Sequence, residues 1–181
     1  MNAGDAGHAH PVHPSPWVTR FAGLVPDGGP VLELACGGGR HTRLFLARGH
    51  PVTAVDIDLS GLADLEGAAG LEAVQADLEA GRPFPLAGRS FAGVVVTNYL
   101  YRPLLPDLVA ALAPGGVLIY ETFARGNERF GTPRNPDHLL EPGELLEAVH
   151  GRLRVLAYED LTVTMPRPAA VQRICAVNEA A

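Results

Sequence analysis

Three consecutive glycines, Gly37 to Gly39, constrain the fold of this chain more than any other feature of its sequence. They stand between VLELAC (31–36), which is typical of a buried strand, and RHTRLFLAR (40–48), which is typical of a helix. A tight strand-to-helix turn needs one or two glycines at most, because glycine is the residue that adopts left-handed backbone angles freely. Three in a row indicate that a ligand comes close to the backbone at this turn.

The same alternation of strand and helix patterns continues along the chain. A capped helix is predicted from Ser15, and a last helix from Pro142 to about Val149. The closing stretches LRVLAYEDLTV and AVQRICAVN read as two strands that pair as a hairpin. The other predicted elements are strands at 52–58, 72–77, 91–98 and 116–123, a helix-like SGLADLEGA, and a helix at 104–114. This order predicts an α/β fold with a mostly parallel sheet and an antiparallel strand near one edge.

Length and the N-terminal composition predict the domain organisation. The 181 residues fit one domain, which we place at 15–181. Residues 1–14 are mostly small residues, prolines and three histidines, and we expect them to form a flexible tail. The alternative is a metal-binding tract. Because no set of carboxylates or cysteines accompanies the histidines, we predict no metal site. No apolar run reaches the roughly 20 residues that span a bilayer, and the start of the chain does not resemble a secretory signal. We therefore expect a cytoplasmic protein without a membrane partner.

The charged residues and cysteines exclude several chemistries. All 14 basic residues are arginine, so neither a lysine Schiff base nor a Walker-type phosphate loop can form. The net charge of −6 argues against a nucleic-acid partner. Cys36 and Cys175 form no CxxC motif and lie in apolar surroundings, so we expect two buried core residues and neither a disulfide framework nor a zinc site.

Acidic residues stand at the ends of the second and third predicted strands. In an open α/β sheet, ligands bind beyond the carboxyl ends of the strands, where the glycine turn also lies. At these strand ends Asp56 can accept hydrogen bonds from both hydroxyls of a ribose, and Asp77 can accept one from the exocyclic amine of adenine. The alternative is that each aspartate is a cap or turn residue, which is the more common role of an aspartate after a strand. A standard dinucleotide fingerprint does not fit, because Thr42 takes the position of its third glycine.

The segments VLELACGGGRHT, VTAVDID, QADL and LAPGGVLIYETF resemble the successive motifs of the class I S-adenosylmethionine-dependent methyltransferases. NYLYRPLL and ETFARGNERFGTPRNP resemble the small bacterial branch of the tellurite-resistance type. The resemblance implies a Rossmann-like, doubly wound sheet of seven strands, mostly parallel with an antiparallel closing strand, and helices on both faces. It also implies S-adenosyl-L-methionine as the cofactor and S-adenosyl-L-homocysteine as the product.

The resemblance assigns binding roles to residues of this chain. Alanine at position 35 departs from the first glycine of the family's usual ExGxGxG pattern. The implied cofactor residues are Glu33, Ala35, Gly37 and Gly39 near the methionine end, Asp56 and Ile57 at the ribose, and Asp77 and Leu78 at the adenine.

The site is completed by residues whose roles we predict from their position. Asn98 offers a carbonyl acceptor beyond the fourth strand, and Tyr99 an aromatic wall for the cationic donor; packing against a helix is the alternative for Tyr99. His41 is a candidate base or else an exposed helical residue. Trp17 and Arg20 are expected to close over the methionine end, with Arg20 pairing its carboxylate.

Methyl transfer to a small-molecule acceptor is the predicted function. The alternatives are a nicotinamide-dependent oxidoreductase with a Rossmann fold and a non-catalytic S-adenosylmethionine-binding module. The segment 121–140 is predicted to be a lid whose arginines, Arg125, Arg129 and Arg134, suit an anionic acceptor; a solvated connection or a dimer contact are its other interpretations. Monomer and homodimer both stay open.

Overall fold

The computed structural model of the chain describes residues 12–179. The predicted tail, residues 1–14, lies outside the described residues except for its last three positions. Across the described residues, no helix combines the length and apolar character needed to cross a membrane.

A single seven-stranded sheet forms the centre of the structure, with the strand order β3-β2-β1-β4-β5-β7-β6. The first five strands are parallel, and β7 is antiparallel to both β5 and β6. The predicted sheet and its closing hairpin are therefore confirmed. The strands are β1 Val31–Leu34, β2 Val52–Asp56, β3 Leu71–Gln75, β4 Phe91–Thr97, β5 Leu112–Phe123, β6 Arg154–Val163 and β7 Ala169–Val177.

Helices cover both faces of the sheet, as the resemblance implied. They are α1 Pro16–Phe21, α2 Arg40–Ala47, α3 Leu105–Ala110 and α4 Glu144–Val149, with short 3-10 helices at Ala22–Leu24, Ser60–Leu65, Arg102–Leu104, Asn127–Arg129 and Pro136–His138. Phe21, Phe45 and Leu62 bring α1, α2 and the 60–65 helix into one apolar cluster. Leu108 and Leu145 place α3 and α4 in a second cluster with the opposite side chains of the strands. Because both faces are covered, β1 and most of β4 are buried along their length.

The topological switch of the sheet lies at β1. This strand pairs in parallel with β2 on one side and with β4 on the other, so the connections that leave β1 and β4 diverge at their carboxyl ends. Divergence opens a crevice, which is the usual ligand position in an open α/β sheet. The glycine turn follows β1 directly and therefore lies at this crevice.

Two predicted elements differ from the structure in type or length. The helix predicted to Pro114 ends at Ala110, and β5 begins at Leu112, because Leu112 pairs with Phe91 ahead of a bulge that contains Gly115. The helix-like SGLADLEGA forms a six-residue 3-10 helix. Glycine at position 61 lets this helix approach the glycine turn closely, because a Cβ there would lie 2.4 Å from the carbonyl oxygen of Gly37.

Candidate functional site

The turn after β1 is held in a left-handed conformation and is tied to β2. Ala35, Gly37 and Gly39 have φ angles of 49°, 51° and 71°. The Gly37 N–H donates to Oδ2 of Asp56 at 2.8 Å. Glycine adopts such angles without strain, whereas a residue with a Cβ does so at a cost. The turn therefore stores strain at Ala35, where the family pattern has glycine, and strained backbone of this kind clusters at functional sites.

Two adjoining cavities open at this crevice. The larger, about 420 Å³, runs along the ends of β2 and β3, and the smaller, about 190 Å³, lies between the glycine turn and the end of β4. Both are lined by Ala35 and Asp56, so they are neighbours across these two residues. The larger is also lined by Ile57, Ala76, Asp77, Leu78, Glu79 and Tyr99, and the smaller by Cys36, Gly37, Gly38, Arg40, Thr97 and Asn98.

These linings bring together most of the residues predicted to form the site. Ala35, Gly37, Asp56, Ile57, Asp77, Leu78, Asn98 and Tyr99 all lie on one cavity or the other. Gly39 sits just behind the turn, where it precedes α2 and where a Cβ would lie 2.2 Å from Leu62. The leucine side chain can move aside, so the left-handed φ of 71° is the stronger reason for glycine at this position.

Backbone N–H groups orient the two strand-end carboxylates. Asp56 accepts from Gly37 on Oδ2 and from Asp58 on Oδ1, at 2.8 and 3.1 Å. Asp77 accepts the N–H of Glu79 on Oδ1 at 2.9 Å. Each carboxylate oxygen has two acceptor sites, so these bonds fix the groups and leave acceptor capacity for a ligand. Ile57, which is 62% exposed beside them, offers an apolar surface to the same cavity.

Tyr99 and Asn98 follow β4 and contribute differently. Asn98 has a φ of 55°, which asparagine tolerates better than most residues. Burial raises the pKa of the Tyr99 hydroxyl, and the negative charges of Glu79 and Asp77 raise it further. The phenol therefore stays protonated at neutral pH, which suits an aromatic wall or a hydrogen-bond donor and does not suit a base.

Glu33 and His41 lie beneath the cavities and not on them. Glu33 is 2% exposed and His41 is 1% exposed. One carboxylate oxygen of Glu33 lies 3.2 Å from Nδ1 of His41, and the other accepts the hydroxyl of Thr42. Nε2 of His41 accepts the backbone N–H of Ser15 at 3.0 Å. Because both ring nitrogens and both carboxylate oxygens are already engaged, the structure gives these two residues a supporting position, in place of the predicted base and direct ligand.

Trp17 and Arg20 also lie away from the two cavities. Trp17 is 3% exposed, and its indole N–H donates to the carbonyl of Ile174 at 3.2 Å. The side chain of Arg20 is 63% exposed and lies 3.9 Å from Glu159 on β6. Both residues belong to the packing of α1 against the sheet, so the structure does not place them over the methionine end.

Arg40, and not Arg20, is the arginine that reaches this crevice. It lines the smaller cavity, donates from Nη1 to the carbonyl of His13 at 3.1 Å, and reaches the Thr97 hydroxyl at 3.4 Å. Burial lowers the pKa of its guanidinium, while the charges of Glu121 and Glu33 act in the opposite direction. The sequence could have indicated this role for Arg40, because it is the first helical residue after the three glycines and therefore lies at the same crevice.

A third cavity, about 330 Å³, shares Glu79 with the larger one. Segment 121–140 contributes to it through Asn135, Asp137 and His138, and Arg102, which also lines it, donates to the backbone carbonyl of Asp137 at 2.9 Å. The other lining residues are Leu100, Tyr101 and Pro103. Arg102 is bound by both carboxylate oxygens of Glu144, at 2.6 and 2.9 Å, so its charge is already compensated.

The arginines of the predicted lid do not line this cavity. Arg125 pairs with Glu141 at 2.6 Å, and Arg129 donates to the carbonyl of Gly126 and lies over the ring of Phe130. Arg134 is exposed. These contacts occupy Arg125 and Arg129 away from the cavity, which agrees with the alternative interpretation of the segment as a solvated connection.

Known proteins resemble this chain over much of its length. Residues 31–116 match the family described as "Methyltransferase domain". The trans-aconitate 2-methyltransferase of Rhizobium meliloti (strain 1021) is 35% identical over 133 residues, which are 67% of this chain and 45% of that protein. The chain thus spans about half the length of the curated relative that it matches.

Solved structures share the fold. TehB from Haemophilus influenzae superimposes with a TM-score of 0.70 at 18% identity, over 90% of this chain and 61% of that one. A 1,6-didemethyltoxoflavin-N1-methyltransferase from Burkholderia thailandensis, bound to 1,6-didemethyltoxoflavin and S-adenosylhomocysteine, gives a TM-score of 0.68 at 20% identity, over 91% and 77%. At these identities the likeness shows the fold alone, a methyltransferase-like α/β sheet.

Proposed function

We propose that this chain is a class I, S-adenosylmethionine-dependent methyltransferase that acts on a small-molecule acceptor. The observation that carries the proposal is the convergence of the predicted nucleoside and methionine residues on two adjoining cavities.

The larger cavity fits an adenosine. Asp56 holds a carboxylate at the end of β2, where ribose hydroxyls would find a charged acceptor. Ile57 and Leu78 supply apolar surface for a flat base, and Asp77 supplies an acceptor for its exocyclic amine. This combination of one apolar wall and two acceptors suits a purine nucleoside that lacks a pyrophosphate.

The smaller cavity fits an amino-acid end. Backbone of Gly37 and Gly38 lines one side, and Asn98 and Thr97 line the other. Arg40 brings a cation to the cavity, which suits a carboxylate. We infer that Arg40, in place of Arg20, pairs with the methionine carboxylate.

S-adenosylmethionine, when bound, supplies a methyl group that its sulfonium already activates. The residues of the chain then need to orient the two reactants and exclude water from between them. Tyr99 lies at the boundary of the nucleoside cavity, where its ring favours a cation and its hydroxyl can donate to an acceptor molecule. Asn98 presents polar groups on the other side.

The acceptor is proposed to enter from the third cavity, which Glu79 joins to the nucleoside cavity. Its volume of about 330 Å³ suits a small molecule. Glu79 and Asp137 bring two carboxylates to it, whereas the charge of Arg102 is neutralised by Glu144. This balance favours an acceptor with amine or hydroxyl donors over the anionic acceptor that the lid arginines suggested.

An acceptor screen tests the proposal. Release of S-adenosylhomocysteine from S-adenosylmethionine would be measured with two panels of small molecules, amines and polycarboxylates; the polycarboxylates are included because the Rhizobium relative is named for trans-aconitate. Turnover with an amine supports the proposal and its acceptor class. Turnover with polycarboxylates alone overturns the acceptor class.

Binding measurements separate the alternatives. Calorimetry should show binding of S-adenosylhomocysteine and no binding of NADH, since Thr42 fills the third glycine position of a dinucleotide site and its hydroxyl is bound to Glu33. Binding of NADH alone would favour the oxidoreductase. Cofactor binding without turnover on any acceptor would favour a non-catalytic binding module.

A further inference from the structure

The residues that precede α1 are fastened beside the methionine-end cavity. We define residues 12–15 as the N-terminal strap. Three hydrogen bonds hold it: Arg40 donates to the carbonyl of His13 at 3.1 Å, the Ser15 N–H donates to His41 at 3.0 Å, and the Ser15 hydroxyl donates to Glu121 at 2.7 Å. Because Arg40 also lines the smaller cavity, the strap and the cavity share this side chain.

The bond from Ser15 fixes the protonation of His41. A backbone N–H can only donate, so Nε2 of the ring must carry a lone pair, and the ring proton must then lie on Nδ1. Nδ1 faces Oε1 of Glu33, which can accept that proton at 3.2 Å. The neutral ring therefore accepts from the N–H of Ser15 and donates to the carboxylate of Glu33. A ring that also carried a proton on Nε2 would bring two N–H groups face to face and lose the bond to Ser15.

We propose that His41 is a positioning residue whose neutral imidazole holds the N-terminal strap, and through it Arg40, at the methionine-end cavity. The proposal rests on the proposed function for its consequence, cofactor binding. Arg40 keeps its orientation through two contacts, His13 on the strap and Thr97 on β4. Release of the strap removes the shorter of these contacts and lets the guanidinium leave the cavity.

Two substitutions separate the two bonds of the ring. His41→Gln places an amide oxygen near the position of Nε2 and keeps an acceptor for Ser15. His41→Asn places its amide near the position of Nδ1 and keeps the contact with Glu33 alone. We expect His41→Gln to bind S-adenosylhomocysteine within about threefold of the wild type, and His41→Asn to bind about tenfold more weakly. Equal affinities for the two variants would overturn the proposal.

Amide hydrogen exchange tests the strap without any cofactor. The protection factor of the Ser15 amide should be high in the ligand-free wild type and in His41→Gln, and low in His41→Asn; this rescue by glutamine alone is a readout that a merely structural role would not give. If this amide is unprotected in the wild type, the strap is not held and the proposal fails. If the amide behaves as expected and S-adenosylhomocysteine does not bind, the strap stands and the proposed function fails instead. Should His41→Asn not fold, the wild type and His41→Gln decide: loss of protection in His41→Gln would overturn the proposal.

Discussion

Replacement of Asp56 by alanine should weaken S-adenosylhomocysteine binding about 30-fold or more. The carboxylate lines both cofactor cavities and is oriented by the N–H groups of Gly37 and Asp58. A hydrogen bond to a charged group contributes about 1.5–3 kcal/mol, and two ribose hydroxyls are the expected donors. Taking about 2 kcal/mol for the pair, after solvation by water in the variant, gives a factor of about 30 because 1.4 kcal/mol corresponds to tenfold.

Isothermal titration calorimetry at 25 °C measures this change directly. Asp56→Asn keeps the shape and one acceptor oxygen but loses the charge, so its affinity should lie between the wild type and Asp56→Ala. Asp107→Ala is the matched control, because Asp107 is exposed on α3 and lines neither cofactor cavity. The fold should survive in all three, and thermal unfolding checks this. An affinity of Asp56→Ala within twofold of the wild type would show that the ribose assignment is wrong.

Three further predictions follow from the same turn and its surroundings. Gly37→Val should abolish S-adenosylhomocysteine binding in calorimetry while the protein stays folded, because a β-branched residue resists the left-handed backbone and blocks the approach of the ligand; retained affinity would place the cofactor elsewhere. Ala35→Gly should raise the free energy of unfolding by about 1 kcal/mol in urea denaturation, since an L-residue pays about 1–2 kcal/mol at this φ; a loss of stability would contradict the strain. Burial raises the pKa of Cys175 to about 11 and that of Cys36 beyond the usual range, so neither thiol should react with a thiol reagent at pH 8 until denaturant is added; fast modification of the native protein would contradict this.

The sequence predicted the sheet well, and it predicted which strand-end residues lie together, because both depend on local patterns. Apolar runs of four to seven residues mark β1 and β4, and the glycines and aspartates follow directly at the strand ends. Parallel strands place their carboxyl ends together, so residues that are 19 positions apart, such as Gly37 and Asp56, meet without further information.

Prediction of the supporting residues depended on contacts that no local pattern reports. His41 was expected at the surface of the site, but the helical turn directs its ring inward to Glu33, and Ser15 reaches it from 26 residues away. Arg20 and Arg40 have similar positions near helix ends, and tertiary packing decides which one faces the cavity. The lid was predicted from the arginine content of segment 121–140, which does not report that Arg125 pairs with Glu141, just beyond that segment.

A crystal structure of the protein with S-adenosylhomocysteine tests the central claim most directly. The adenine should lie between Ile57 and Leu78 with its amine toward Asp77, and both ribose hydroxyls should lie within hydrogen-bonding distance of the Asp56 carboxylate. The methionine end should occupy the cavity lined by Gly37 and the guanidinium of Arg40. A ligand found outside the crevice between β1 and β4, or one bound in the crevice with its ribose away from Asp56, would contradict the account.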